Sequence, residues 1–389
     1  MADPAYRLID QEAAWQTLLP QIRGASALAV DMEADGFHRY PEQVALIQVG
    51  LPDGRLLLLD PLALKDLSGL GEALADPKLL TVFHSASYDV RALDRDFGFH
   101  IGALYDTSIA AQLLGLERTG LANVLLEILG VEMDNKSKRL QRMDWSIRPL
   151  PEDAMAYAAD DVAWLLALQE ALAARIAALG RQAWVAEECR RLSEVRHEAP
   201  APPEAACLTM KGARDLSPRG RAVLRELIIF REAEALAMGR PPHYVMHNQA
   251  MLTLAEAPDT PIDRIQGIGR RTLGRRGCEL RAALARGKAA PPLPWPKPAG
   301  RNPWTPEARD RLTALKRWRQ AEADRLALSA GLIWPARHLD QVALWPDRPP
   351  RELDLGEPSW IRDWQWAELG ESLMRFLAQQ GWTASPTGG

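Results

Sequence analysis

Asp31 and Glu33 lie two residues apart at the end of an apolar run, residues 25–30, that reads as a buried strand. On a strand, residues i and i+2 project from one face, so both carboxylates leave it together. Like charges a few ångströms apart repel, and the pairing is costly unless cations neutralise it. Hard carboxylate oxygens of this kind suit Mg²⁺ or Mn²⁺. Asp89 follows a second apolar run, residues 79–84, in the first turns of a helical pattern. Tyr157 and Asp161 are spaced i, i+4 within a long helical stretch, residues 151–179, and therefore share a helix face. Asp160 lies close by, so the residues alone leave open which aspartate belongs to the set.

Taken singly, each motif has a plain structural explanation. Asp31 and Glu33 can be a solvated strand end before the Asp35-Gly36 turn. Asp89 can simply favour a helix N-terminus. Asp160 and Asp161 can be a surface pair on an amphipathic helix. In combination they say more. Four carboxylates in this order can line one pocket and hold two divalent cations roughly 3.5–4 Å apart. Such a pair clamps the attacking and leaving oxygens of a phosphodiester in an in-line displacement. A tyrosine hydroxyl beside it can position the attacking water.

The elements that must position these groups fall into three blocks. Residues 1–198 carry apolar, β-rich runs at 25–30, 44–49, 55–59 and 79–84, with helical patterns at 10–22, 86–97, 107–114, 121–129 and 151–179. Strands first and helices later point to a mixed sheet covered by helices. A Pro-rich linker, residues 199–203, leads to an all-helical block, residues 207–290, and a Pro- and Trp-containing linker leads to a third, also helical, at residues 300–385. Arg231-Glu232-Ala233-Glu234-Ala235 matches Arg319-Gln320-Ala321-Glu322-Ala323 at an offset of 88, and Pro258-Asp259 matches Pro346-Asp347 at the same offset. Blocks two and three therefore read as two copies of one small helical domain.

Composition sets outer bounds. The 389 residues are 47% apolar and 25% charged, as in an ordinary globular protein. No apolar run approaches the roughly 20 residues that span a bilayer, and the start lacks a signal-peptide pattern. The three cysteines show no zinc or disulfide spacing, which fits a reducing cytoplasm. The net charge of −4 conceals an asymmetry: residues 211–290 hold 15 Lys/Arg against 8 Asp/Glu. A basic module beside an acidic one suggests that one part holds a polyanion and the other holds cations.

With its acids in this order, the first block resembles the DEDD exonuclease superfamily in its tyrosine subclass. The three motifs match Asp31-x-Glu33, His84-x4-Asp89 and Tyr157-x3-Asp161; the histidine subclass would place a His where this chain has Ala156. Three further segments are similar to the ribonuclease D family: Tyr40-Pro41 with residues 44–48, Tyr105-Asp106-Thr107, and Asp144-Trp145-Ser146-Ile147-Arg148-Pro149-Leu150. The later blocks resemble tandem HRDC domains, helical nucleic-acid-binding modules. The resemblance implies a ribonuclease H-like α/β exonuclease domain followed by two all-α HRDC-like domains. It implies that Asp31 bridges two cations, Mg²⁺ or Mn²⁺, that Glu33 and Asp161 complete the first site and that Asp89 serves the second. Tyr157 would orient the water, and the family's spacing selects Asp161 over Asp160. The expected activity is 3′→5′ hydrolysis of RNA, tRNA precursors included, acting on single-stranded 3′ ends in the cytoplasm, with no membrane or obligate protein partner.

Weaker candidates for RNA contact are Gln43, His84 and Lys136. Gln43 also fits a surface loop, His84 a support for Asp89, and Lys136 a solvated charged loop. In block two, the glycines of Gln266-Gly267-Ile268-Gly269 permit a tight turn before a helix whose N-terminus suits phosphate, and Arg270, Arg271, Arg275 and Arg276 add charge. The third block has Leu355-Gly356-Glu357-Pro358 instead. The carboxylates fit a DNA exonuclease equally well, since discrimination rests on 2′-OH contacts. A non-catalytic RNA-binding protein is the other alternative, disfavoured because every ligand and Tyr157 are present.

Overall fold

The structure, a computed structural model, describes residues 6–133, 139–296 and 303–382. The first block contains β1 (Tyr6–Ile9), α1 (Glu12–Arg23), β2 (Ala27–Ala34), β3 (Val44–Gly50), β4 (Leu56–Leu59), α2 (Ser68–Ala75), β5 (Leu80–Phe83), α3 (Ser87–Phe97), β6 (Ala103–Asp106), α4 (Thr107–Leu114), α5 (Leu121–Leu129), α6 (Glu152–Ala163), α7 (Leu165–Ala178) and α8 (Gln182–Ser193). Its six strands form one sheet in the order β1-β4-β3-β2-β5-β6. β3 runs antiparallel to both neighbours, and the remaining pairs are parallel. Ile47 and Val49 of β3 belong to the large core, whereas Leu46 joins a second cluster with Leu58, Trp145 and three alanines of α6. Period-2 alternation thus feeds two apolar layers, and the sheet is covered on both faces.

The expected mixed sheet with flanking helices is present, and its differences from expectation are local. β1 and β6 are four-residue strands that pair in parallel with β4 and β5, too short to show a periodicity of their own. β2 runs past residue 30 to Ala34, so Asp31 and Glu33 lie inside the ladder, opposite Gln48 and Leu46. The stretch 151–179 is two helices, divided at Trp164, whose φ of −112° and ψ of 0° leave the helical region. α6 crosses β2, β3 and β4, whereas α7 packs on β2, β5, α4 and α5. One straight helix does not reach both sets.

The rest of the chain is helical: α9 (Pro203–Thr209), α10 (Pro218–Met238), α11 (Pro242–Val245), α12 (Asn248–Glu256) and α13 (Arg270–Ala289), then α14 (Pro306–Leu326), α15 (Ala330–Ile333), α16 (Ala336–Leu344) and α17 (Asp363–Gln379). The 88-residue offset holds at both ends of α10/α14, α11/α15 and α12/α16. It extends to the caps. Ser217 accepts from the Gly220 N–H at 3.0 Å, and Thr305 accepts from the Ala308 N–H at 3.2 Å. The register is lost only at the last helix, after Leu355-Gly356-Glu357-Pro358.

The residue ending the first long helix of each copy is left-handed: Gly239 at φ 59° and Ala327 at φ 51°. A Cβ in that region costs about 1–2 kcal/mol. Ala327→Gly is therefore expected to stabilise the third block, by about 0.5–1 kcal/mol after the extra unfolded-state entropy of glycine. Urea unfolding monitored through the block's tryptophans measures it, and a destabilised variant would contradict the strain assignment.

Candidate active site

Three elements bring the acids together. β2 presents Asp31 and Glu33 on the face covered by α6. α6 presents Tyr157 and Asp161 back toward them, while Asp160 is exposed. The buried Asp89, 7% exposed, enters from the first turn of α3. Their convergence is visible in their electrostatics. Asp31 is pushed up to about 6 by burial. Burial and then the Asp31 charge raise Asp161 to about 8, against a lowering hydrogen bond from Tyr157. Glu33 stands well above the carboxylate range through burial and then the charges of Asp31, Asp161 and Asp89. Asp89 is likewise raised, by burial and then by Asp31. Among the described residues, carboxylates and neutral donors act on these four groups, and no arginine or lysine counts among them.

The donor set fits divalent cations: hard, anionic oxygens, desolvated, with no side-chain counter-charge among the described residues. Among the described residues, no group of three or more His, Cys, Asp or Glu side chains is spaced to hold a metal ion.

Tyr157 is fixed by its surroundings. Its ring lies 6.2 Å from that of the buried Trp145, and its hydroxyl lies between Gln141, which donates to it, and Asp161, which accepts from it. Burial and then the charges of Asp161 and Glu33 raise its pKa, so it stays a protonated donor. Trp145 is held by the bend at Arg148, whose guanidinium grips Asp60 at 2.6 and 2.7 Å and also donates to the carbonyls of Trp145, Ile147 and Ala45.

Asp106 has a structural task that the sequence did not reveal. Its buried carboxylate accepts from the backbone N–H groups of Ser108 (2.8 Å) and Ile109 (3.2 Å), capping α4. It also accepts from Ser85 (3.0 Å) and Ala86 (2.8 Å), the turn that feeds α3. Ser85 is left-handed, at φ 64°, and this brace holds the sharp entry that carries Asp89 inward. The only advance sign was the Tyr105-Asp106-Thr107 resemblance.

The weaker candidates separate. The His84 imidazole lies 2.8 Å from the Thr107 hydroxyl, which itself donates to the Phe83 carbonyl at 2.9 Å. His84 thus ties β5 to α4. Gln43 is exposed, and its backbone N–H donates to Asp35 at 2.9 Å. Its loop reaches the second block: the Tyr40 hydroxyl donates to Glu232 at 2.7 Å, and Arg240 donates to the His38 carbonyl at 3.1 Å. Lys136 lies outside the described residues. Gly267, at φ 87°, and Gly269, where a Cβ would come within 2.3 Å of the Tyr244 carbonyl, form the turn before α13. Arg270, Arg271 and Arg275 are exposed there, whereas Arg276 pairs with Glu234 at 3.0 Å and Glu279 at 3.1 Å. Two exposed aromatics adjoin the acids, Phe37 after β2 and Tyr88 beside Asp89.

Comparison with known proteins identifies the family. A 3′-5′ exonuclease family model matches residues 6–177, and an HRDC domain model matches residues 220–285. Ribonuclease D of Pseudomonas paraeruginosa is 31% identical over 379 residues, 96% of this chain and 98% of the relative. Ribonuclease D of Escherichia coli is 28% identical, covering 96% and 99%. The crystal structure of E. coli RNase D, described as an exoribonuclease involved in structured RNA processing, superposes with a TM-score of 0.74 at 26% identity, over 96% of this chain and 99% of that one. The catalytic core of RRP6 from Trypanosoma brucei gives 0.64 at 25% identity, over 74% and 82%.

Asp106→Ala is expected to lower unfolding free energy by about 2–4 kcal/mol, because four amide donors lose a charged acceptor. Turnover should fall with it as Asp89 loses its brace, and Asp106→Asn should fall between. Thermal unfolding and turnover read in parallel check this. Normal turnover in the alanine variant would show that Asp89 does not depend on the brace.

Proposed function

The chain belongs to the ribonuclease D family and is a 3′→5′ exoribonuclease, and we propose that it trims 3′ extensions of structured RNAs, tRNA precursors among them, by two-cation hydrolysis. The observation that carries the proposal is the convergence of Asp31, Glu33, Asp89 and Asp161 in one buried cluster whose charges act on one another, with Tyr157 hydrogen-bonded at its edge. Asp31 would touch both cations, Glu33 and Asp161 one, and Asp89 the other, with Mg²⁺ or Mn²⁺ as the ions. Bound there, the pair supplies Lewis-acid activation of water and neutralises charge at the leaving 3′ oxygen. Tyr157 keeps its proton and orients the water through its hydroxyl. Cleavage at the terminal phosphodiester releases 5′-mononucleotides.

The E. coli relative's role in structured RNA processing supports the substrate class. Phe37 and Tyr88 offer faces on which terminal bases can stack, with Gln43 and His84 at the same loops. Arg270, Arg271 and Arg275, at the N-terminus of α13, hold backbone phosphates; Arg276, committed to Glu234 and Glu279, contributes less, and Lys136 stays a candidate. The second helical copy lacks the glycine turn and contributes chiefly packing. No helix among the described residues is long and apolar enough to cross a membrane, and a cytoplasmic site of action belongs to this proposal.

The decisive assay incubates the protein with 3′-extended RNA and the matching DNA, with Mg²⁺, Mn²⁺ or EDTA. Stepwise shortening of RNA, abolished by EDTA, is expected; equal or faster digestion of DNA would overturn the RNA assignment. Asp31→Asn should bind RNA normally yet lose turnover by orders of magnitude, and near wild-type turnover would sink the two-cation mechanism. Replacing Arg270, Arg271 and Arg275 with Ala should weaken RNA binding and lower its log–log salt slope by ~0.7 for each phosphate no longer neutralised. An unchanged slope would place the RNA elsewhere.

A further inference from the structure

One polar side chain in the carboxylate layer is unaccounted for. Gln48 lies in β3 directly across the ladder from Asp31, and opposed residues project from the same face. That face is the one under α6. Leu46 and Leu58, which flank Gln48 along β3 and across in β4, belong to the apolar cluster with Ala154, Ala158 and Ala159 of α6. Two residues on, a Cβ at Gly50 would come within 3.2 Å of the Val162 carbonyl. Gln48 thus enters, from the sheet side, the layer that Asp161 enters from the helix side.

Gln48 is 0% exposed, and among the described residues neither its amide nitrogen nor its amide oxygen has a hydrogen-bond partner. A primary amide brings two donors and two lone pairs, and leaving them unpaired in a dry layer costs stability. The residues around it are Leu and Ala, so a Leu or Met of similar volume would avoid that cost. The position instead keeps a donor beside a carboxylate already strained by three others.

We propose that Gln48 is a positioning residue for the carboxylate site, its side-chain amide donating to Asp31 when cations are bound and so fixing which Asp31 oxygens face them. The inference rests on the two-cation reading above. An amide suits the task better than a cation. A lysine would neutralise Asp31 and compete with the metal, whereas an amide orients the carboxylate and leaves its full charge available.

The test uses full-length wild type, Gln48→Leu and Gln48→Met. Thermal unfolding is followed in EDTA and in MnCl₂, Mn²⁺ affinity by electron paramagnetic resonance, and kcat and KM on 3′-extended RNA. In EDTA both variants should melt at or above the wild-type temperature, since an unpaired amide is gone. Their Mn²⁺-induced rise in melting temperature should shrink, Mn²⁺ affinity should drop about 10–100-fold, and kcat should fall with KM for RNA unchanged. Mn²⁺ affinity and kcat within about twofold of wild type in either folded variant overturns the proposal. So does a lower melting temperature in EDTA with unchanged Mn²⁺ affinity, or loss of folding in both, because each assigns Gln48 to packing alone. Absence of Mn²⁺ binding in the wild type would instead undo the two-cation reading itself.

Discussion

Four carboxylates in one desolvated pocket repel each other, and much of the catalytic unit holds them there against that repulsion. Three kinds of anchorage supply them. Asp31 and Glu33 are locked by the β2–β3 ladder, where a one-residue slip would turn both toward the opposite layer. Asp161 is placed by α6, whose alanines let it lie close on β3 and β4. Asp89 depends on the Asp106 brace across the β5–α3 turn. None of these elements could relax the charge without losing its own hydrogen bonds or packing. The site is therefore rigid in its frame and unbalanced in its charge, which is the condition for capturing cations rather than side-chain partners.

The same logic separates what could be read in the sequence from what could not. The two long periodic signals, the apolar strand ending in Asp31 and the i, i+4 spacing of Tyr157 and Asp161, sit on elements whose own pattern declares them. α4 and α5 were readable to the residue, because Gly115 and Gly130 end them in the left-handed conformation. The 88-residue duplication was legible from two short matches, and the caps at Ser217 and Thr305 extend it to geometry. β1 and β6 were not legible: four residues are too few for a period, and they exist only because β4 and β5 offer them parallel edges. The break at Trp164 was hidden for the opposite reason, since no Gly or Pro marks it and the demand comes from two differently placed packing surfaces.

Asp106 and Gln48 expose a second limit. Both are polar residues next to apolar runs, and a sequence pattern treats each as a strand end or an edge position. Their significance lies in partners far along the chain. For Asp106 these are Ser85 and Ala86, twenty-odd positions earlier; for Gln48, Asp31 across the ladder. Spacing within one element picks out candidate ligands that share a face, as with Asp31 and Glu33 on β2. It does not identify the residues that hold ligands still, because those act between elements.

The loop from Asp35 to Gln43 ties this frame to the rest of the chain. It leaves β2 after Ala34, is pinned to the 139–150 segment by His38 and Arg39, and is pinned to the first helical unit through Tyr40–Glu232 and Arg240–His38. The acidic pocket and the basic module are thus joined by hydrogen bonds at the loop that carries Phe37. This joins two opposite electrostatic requirements. The pocket must stay negative to hold cations, so it repels the phosphates it cleaves. On the proposed reading, the arginines at the start of α13 would supply compensating attraction at a distance, raising the local concentration of polyanion without neutralising the acids. A basic residue within the pocket would serve the first need at the expense of the second. The separation of charge between blocks, visible already as an imbalance in composition, follows from the chemistry that the four carboxylates are proposed to perform.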